Sequence, residues 1–375
     1  MRIAHIIDSL AIGGAERVAV ELAKAQRQVG HVPVIYTISG EGALTADALN
    51  AGIIVQSFAK PRGVSLRTLA AITMALGRIR PDVVHTHNSS AHYYGSTAGF
   101  LSHVPVVVNT LHSPVSSRNR IERHFQHFLR FTNEVVFVSR HAQKTIQDYW
   151  PGMKGIGRVI HNGVTVTNFQ TSPARPGSRR PNVLFGAVGR LVAVKAHSFL
   201  IEAFARLRLK VSGAELWIVG DGPLMNDLAK QIEGLGLNGC VHLLGARKHI
   251  AAILNQLDIF VIPSVSEGLP IVLLEAMATG LPIISTRVGG IEEVMPGESV
   301  GWFCEPRNIS ALEAAMLAAV NCEDLMGRGA AAAELARSEL DTSVMAKRYE
   351  DLYFSLLKHP HVRVRHILQR ASDVH

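Results

Sequence analysis

Apolar residues recur along this chain in two alternating rhythms. Short apolar runs at 3–7, 31–38, 82–85, 104–110 and 134–139 read as strands. Between them, 14–29 places Val18, Leu22, Ala25 and Val29 at helical spacing, and 66–80 does the same with Leu66, Leu69, Thr73, Leu76 and Ile79. Pro81 closes the second of these helices. The rhythm stops at 171–181, TSPARPGSRRP, which has three prolines and no apolar run and reads as a linker. It then restarts, with strands predicted at 183–188, 215–219, 241–244, 258–262 and 283–285, and helices at 196–209, 224–235, 250–256, 272–278, 309–320 and 341–357.

Strands that alternate with helices form parallel sheets covered on both faces. The expected architecture is α/β: two Rossmann-like, doubly wound domains facing a central cleft. The first spans 1–170 with a C-terminal helix at about 345–375, and the second spans 182–344. Ligands of such sheets bind beyond the carboxyl ends of the strands.

Composition narrows the picture. The chain has 375 residues, 47% apolar and 18% charged, enough for large cores and too apolar for disorder. Three cysteines without CxxC spacing suggest a reducing compartment and no zinc site. The opening MRIAHIIDSL is too short and too interrupted for a signal peptide, so a cytoplasmic protein is expected. Charge is one-sided: residues 1–170 hold 17 Lys+Arg against 9 Asp+Glu, whereas 171–375 hold 21 of each. A basic first half suits an anionic partner. Residues 116–131, SSRNRIERHFQHFLRF, place Ile121, Phe125, Phe128 and Leu129 on one face and arginines on others. That suits either an anionic membrane surface, hence a peripheral location, or ordinary core packing. No nucleic-acid module is recognisable, so no nucleic-acid partner is expected.

The loops after the strands carry the candidate chemistry. Gly13-Gly14 permits positive φ or close backbone approach, but its spacing is not that of a dinucleotide loop. No GxxxxGK[ST] occurs, which disfavours a nucleotide hydrolase. Arg190 and Lys195 follow a strand and precede a helix, a placement suited to a diphosphate. Glu267 and Glu275 sit in EGLPIVLLEAMATGLPIIS, the first in a loop and the second about one turn inside a helix opening at Pro270. Such a helix aims its free amides and positive dipole end at an anion, while the carboxylates suit sugar hydroxyls. His112 ends a strand and could bond a substrate hydroxyl. His85 and His87 would share a strand face, a metal-type pair for which the sequence offers no third ligand.

In order, GGAER, VVHTHN, NTLH, HNGV, VGRLVAVKAHSFLIEAFA, LWIVGDGPL and EGLPIVLLEAMATGLPII resemble the motifs of retaining glycosyltransferases of family four, of GT-B fold. The resemblance runs from about residue 3 to residue 302. It implies transfer of a sugar from a nucleotide-diphosphate sugar to an acceptor hydroxyl, in cell-surface polysaccharide or lipid-linked glycan synthesis, with no metal and no cofactor. It implies that Glu275 binds the donor ribose and Glu267 the sugar hydroxyls. Arg190 and Lys195 would hold the diphosphate with amides of Gly14, Gly268, Leu269, Ile271 and Val272. His112 would lie by the donor sugar, and His87 with Gly13, Glu16 and Arg17 on the acceptor side. Ala196 and Pro270 depart from the family pattern, each standing where relatives often have glycine. A nucleotide-sugar epimerase of this fold and a non-catalytic nucleotide-sugar-binding protein are the alternatives.

Overall fold

The computed structural model describes residues 1–112, 125–169, 182–360 and 364. The chain divides into two compact units, Met1–Gly163 together with the chain from Thr342 onward, and Val164–Asp341.

The first unit holds a seven-stranded sheet of β1 (Arg2–Ile7), β2 (Val32–Thr37), β3 (Ile54–Ser57), β4 (Val83–His87), β5 (Val106–Leu111), β6 (Glu134–Phe137) and β7 (Arg158–Val159). Their order is β3-β2-β1-β4-β5-β6-β7, with every pair parallel. The reversal of order beside β1 and β4 marks where a doubly wound sheet binds ligands. Ser139, placed at a strand end by its apolar neighbours, instead caps the helix Arg140–Tyr149 by accepting from the Ala142 amide at 3.0 Å.

The helix Asn88–Leu101 has no apolar stripe and escapes a periodicity reading. Its residues Ser89, Ala91, His92, Tyr94, Ser96 and Ala98 are nonetheless buried. Buried polar groups need partners. Here the His92 ring bridges the hydroxyls of Thr86 and Thr132 at 3.0 Å each, and Ser96 donates to the His92 carbonyl at 2.6 Å. The C-terminal helix Thr342–Leu357 buries Tyr349 and Tyr353 in this unit.

Most of 116–131 lies outside the described residues. Its described end is the helix Phe125–Phe128 and a 3-10 turn at Leu129–Phe131. Leu129 is buried, Phe128 packs edge-on to Tyr93 at 4.7 Å, and Phe131 lies 4.6 Å from Phe100. These aromatic contacts are internal to the unit. Among the described residues no helix is long and apolar enough to cross a membrane.

The second unit holds β8 (Leu184–Val188), β9 (Glu215–Val219), β10 (Val241–Gly245), β11 (Ile259–Ile262), β12 (Ile283–Thr286) and β13 (Gly301–Cys304), ordered β10-β9-β8-β11-β12-β13 and all parallel. Phe185, Phe204, Ile218 and Ile259 anchor its core, each at most 1% exposed. Burying each such side chain contributes about 2 kcal/mol. The unit begins at Val164, ahead of the proline-rich 171–181 segment, which lies outside the described residues. The reason is local pairing: the Val164 amide donates to the Leu340 carbonyl at 2.9 Å, and the Val166 amide to the Asp341 carboxylate at 3.1 Å. The same pairing ends the unit at Asp341, short of the expected 344.

Candidate active site

In the second unit the functional side chains stand on loops leaving β8 and β11. The β8 loop is laced to the loop after β9. The Leu191 amide donates to the Asp221 carbonyl at 2.9 Å, and the Leu224 amide to the Leu191 carbonyl at 3.1 Å. Gly220 makes the close approach possible, since a Cβ there would lie 1.9 Å from the Gly189 carbonyl oxygen. Arg190 leaves this loop exposed to solvent. Lys195 ends a 3-10 turn, and Ala196 takes φ 53°, the left-handed region. That backbone explains why glycine suits the position. His197 then opens the helix His197–Arg208.

The structure brings Lys195 and Glu267 together. Lys195 Nζ donates to Glu267 Oε1 at 2.6 Å, and Ser264 Oγ donates to the same oxygen at 2.6 Å. The Glu267 side chain is 9% exposed and that of Lys195 24%. A carboxylate so shielded needs both donors. The cation expected on a phosphate and the carboxylate expected on a sugar are thus each other's partners. A small cavity beside them is also lined by His197 and Val272. His197 and Ser264 were not among the residues singled out by sequence. His197 is 4% exposed, and its Nδ1 has no partner among the described residues. Burial, then the neighbouring Lys195 charge, lowers its pKa to about 4.

The helix Ile271–Ala278 follows, with Pro270 as the residue before it rather than its first position (φ −71°, ψ 126°). Leu269 and Glu275 are buried, the latter 2% exposed. Ile271 and Val272 open the helix, where amides lack intrahelical acceptors. The turn ahead of it is braced from behind, the Gly290 amide donating to the Gly268 carbonyl at 2.6 Å. Gly289 adopts φ 63°, and a Cβ there would sit 2.1 Å from the Glu267 carbonyl oxygen. Gly289→Ala is therefore expected to destabilise the chain by about 2 kcal/mol or more, from left-handed strain plus a backbone clash. A thermal melt at unchanged midpoint would contradict this brace.

The first unit gathers histidines. Parallel register sets His5 beside His85 and His87 beside Thr110. Side chains two apart on a strand share a face, so His5, His85 and His87 meet. They supply the third metal-type ligand that sequence spacing lacked, with ring nitrogens within 4.8 Å of one another. Every nitrogen of the three is already engaged. His5 pairs with Gln26 at 2.8 Å and His87 at 3.1 Å. His87 pairs with His112 at 3.0 Å, and His85 with Thr110 and Tyr353 at 2.7 Å each. Such a set forms a hydrogen-bonded network, and coordination through one nitrogen of each ring would break up to three of these five pairs. Burial lowers the pKa of His5 and His112 to about 4 and of His85 and His87 well below the usual range.

His112 follows β5 directly, and its amide donates to Asn88 Oδ1 at 2.9 Å. Asn88 adopts φ 64°, a conformation that asparagine tolerates. At the end of β1, Gly13 is extended (φ −163°), and neither Gly13 nor Gly14 has positive φ. A Cβ at 13 would meet only the movable carboxylate end of Glu16, which sits in the first turn of the helix Gly14–Gln28. Arg17 stands in the same turn, its amide on the Gly13 carbonyl at 3.1 Å. Asp8, not singled out by sequence, joins this group. Burial raises the pKa of Asp8, offset by Ser90 and Lys60, and burial raises that of Glu16, with Asp8 adding to the rise.

Residues 12–168 match Glycosyltransferase Family 4, and residues 182–322 match Glycosyl transferases group 1. The chain belongs to the glycosyltransferases of family four, and its fold is GT-B. It is similar to the Escherichia coli UDP-Gal:alpha-D-GlcNAc-diphosphoundecaprenol alpha-1,3-galactosyltransferase, 29% identical over 265 residues, which are 66% of this chain and 68% of that protein. Among solved structures, Anabaena HepE in complex with UDP-glucose superposes with a TM-score of 0.82 at 23% identity, covering 95% of this chain and 100% of that one. WaaG, a glycosyltransferase involved in lipopolysaccharide biosynthesis, gives 0.72 at 18% identity, covering 94% and 99%.

Proposed function

We propose that this glycosyltransferase moves a sugar from a nucleoside-diphosphate sugar to a hydroxyl of a lipid-linked or cell-surface glycan, with retention and without a metal. The observation that carries the reading is the Lys195–Glu267–Ser264 group on loops at the carboxyl ends of β8 and β11. A lysine held by one carboxylate is a fixed positive charge. With Arg190 and the amides opening the helix Ile271–Ala278, it answers the charge that grows on a departing diphosphate. These contacts strengthen in the transition state, which is what accelerates transfer. Glu267, its second oxygen not used by Lys195 or Ser264, takes sugar hydroxyls, and Glu275 takes the ribose. No carboxylate is assigned as a nucleophile, so the acceptor attacks on the face the phosphate leaves, and that phosphate takes its proton. The anomeric configuration is then kept.

The relatives favour this donor and acceptor class: the E. coli protein is a UDP-Gal:alpha-D-GlcNAc-diphosphoundecaprenol galactosyltransferase, and HepE was solved with UDP-glucose. The basic first half suits an anionic membrane surface where such an acceptor resides.

The test is incubation with UDP-glucose or UDP-galactose and a polyprenyl-diphosphate-linked sugar. Transfer with retained configuration, undiminished by EDTA, is expected. Conversion of the donor without acceptor would point to an epimerase. Donor binding without turnover would point to a binding protein. Complete indifference to nucleotide-sugars, with no rise in melting temperature, would end the reading.

A further inference from the structure

We propose that Gln26 fixes the direction of the buried histidine row, so that Nδ1 of His112 stands as a bare hydrogen-bond acceptor toward the substrate. This rests on the glycosyltransferase reading for the identity of the substrate, but not for the row itself. Gln26, His5 and His87 are at most 1% exposed, and they run in one line to His112. A neutral imidazole carries one N–H and one lone pair. Each ring therefore passes its direction to the next.

The direction begins at Gln26. Its Oε1 only accepts, so the His5 Nε2–H donates to it at 2.8 Å. His5 Nδ1 is then a lone pair, and the His87 Nε2–H donates to it at 3.1 Å. His87 Nδ1 is in turn a lone pair, and the His112 Nε2–H donates to it at 3.0 Å. What remains is His112 Nδ1, unprotonated, buried and without a partner among the described residues. Turning the Gln26 amide over would place an N–H on His5 and reverse all three rings, leaving an N–H at His112 instead. A second proton on His5 or His87 would set N–H against N–H, and burial opposes it. Gln26 is thus a positioning residue acting through His5 and His87 on the one ring that ends the row.

The consequence is chemical. An acceptor at His112 pairs with a hydroxyl that donates, and a site built on such a pair discriminates against a group that cannot. Long-range 1H–15N correlation on histidine-labelled protein reads the tautomer, with the His112 signals assigned through His112→Gln. In the wild type, His112 is expected to show an unprotonated Nδ1 and a protonated Nε2. In Gln26→Met, which removes the acceptor with little change of shape, both tautomers of His112 are expected, and kcat/KM for sugar transfer falls about twofold, in proportion to the fraction left in the accepting tautomer. A protonated Nδ1 in the wild type, or an unchanged tautomer in Gln26→Met, overturns the proposal. Should Gln26→Met not fold, the wild-type spectrum decides by itself. The tautomer is read without donor or acceptor, so a chain that transfers no sugar yet shows this His112 tautomer supports the row while overturning the proposed function.

Discussion

On acidification from neutral pH to about 4, the chain is expected to lose stability steeply and unfold cooperatively, the first unit foremost. The cause is the buried rings. His5 and His112 fall to about 4 and His92 to about 3 from an ordinary 6.5, and burial leads each shift. A base whose folded pKa is depressed binds fewer protons in the native state than in the unfolded one. Its contribution is full above about 6.5 and is lost as pH falls toward the folded value. One ring shifted from 6.5 to about 4 contributes roughly 3 kcal/mol at neutral pH. Two or three such rings match the ~5–15 kcal/mol that holds a typical domain together. Asp8 and Glu16 work the other way, because their raised pKa values mean that protonation relieves a buried charge. They are two partly buried groups against several fully buried rings, so the histidines dominate. Circular dichroism melts across this range check the expectation. A melting temperature flat from pH 7 to about 4 would contradict neutral, buried rings.

Lys195→Ala is expected to cut kcat/KM about a hundredfold, the largest single effect on activity. One charge-assisted contact to the leaving diphosphate is worth about 1.5–3 kcal/mol, tenfold or more in rate. A second loss adds to it: Glu267, 9% exposed on its side chain, keeps among the described residues the Ser264 hydroxyl as its one side-chain donor. Glu267→Ala removes the other half of the pair and frees Lys195 to wander from its place. The double variant should therefore lose much less than the product of the two single losses, because the residues act as one unit. Strictly multiplicative losses would mean that the 2.6 Å contact does not matter to catalysis.

How far the site was legible follows from where its residues sit. Lys195, Glu267 and His112 could be found because each stands just after a predicted strand, and a doubly wound sheet puts its chemistry there. His5 could not, since it lies inside β1 among apolar neighbours and becomes meaningful only beside β4. Gly289 could not either, its role being a carbonyl of a loop more than twenty residues earlier. The helix Asn88–Leu101 escaped because it is buried on more than one face and so shows no periodicity.

The linear pattern by itself determined two parallel α/β units, their alternation of strand and helix, and the rim on which most functional side chains fall, since periodicity and turn chemistry are local properties. Only the tertiary structure decided which of those side chains meet. Strand register joined His5 to His85 and His87. Loop packing turned Lys195 and Glu267, 72 positions apart, into one ion pair. Contacts of that range depend on how whole elements pack, and no window along the chain contains both partners.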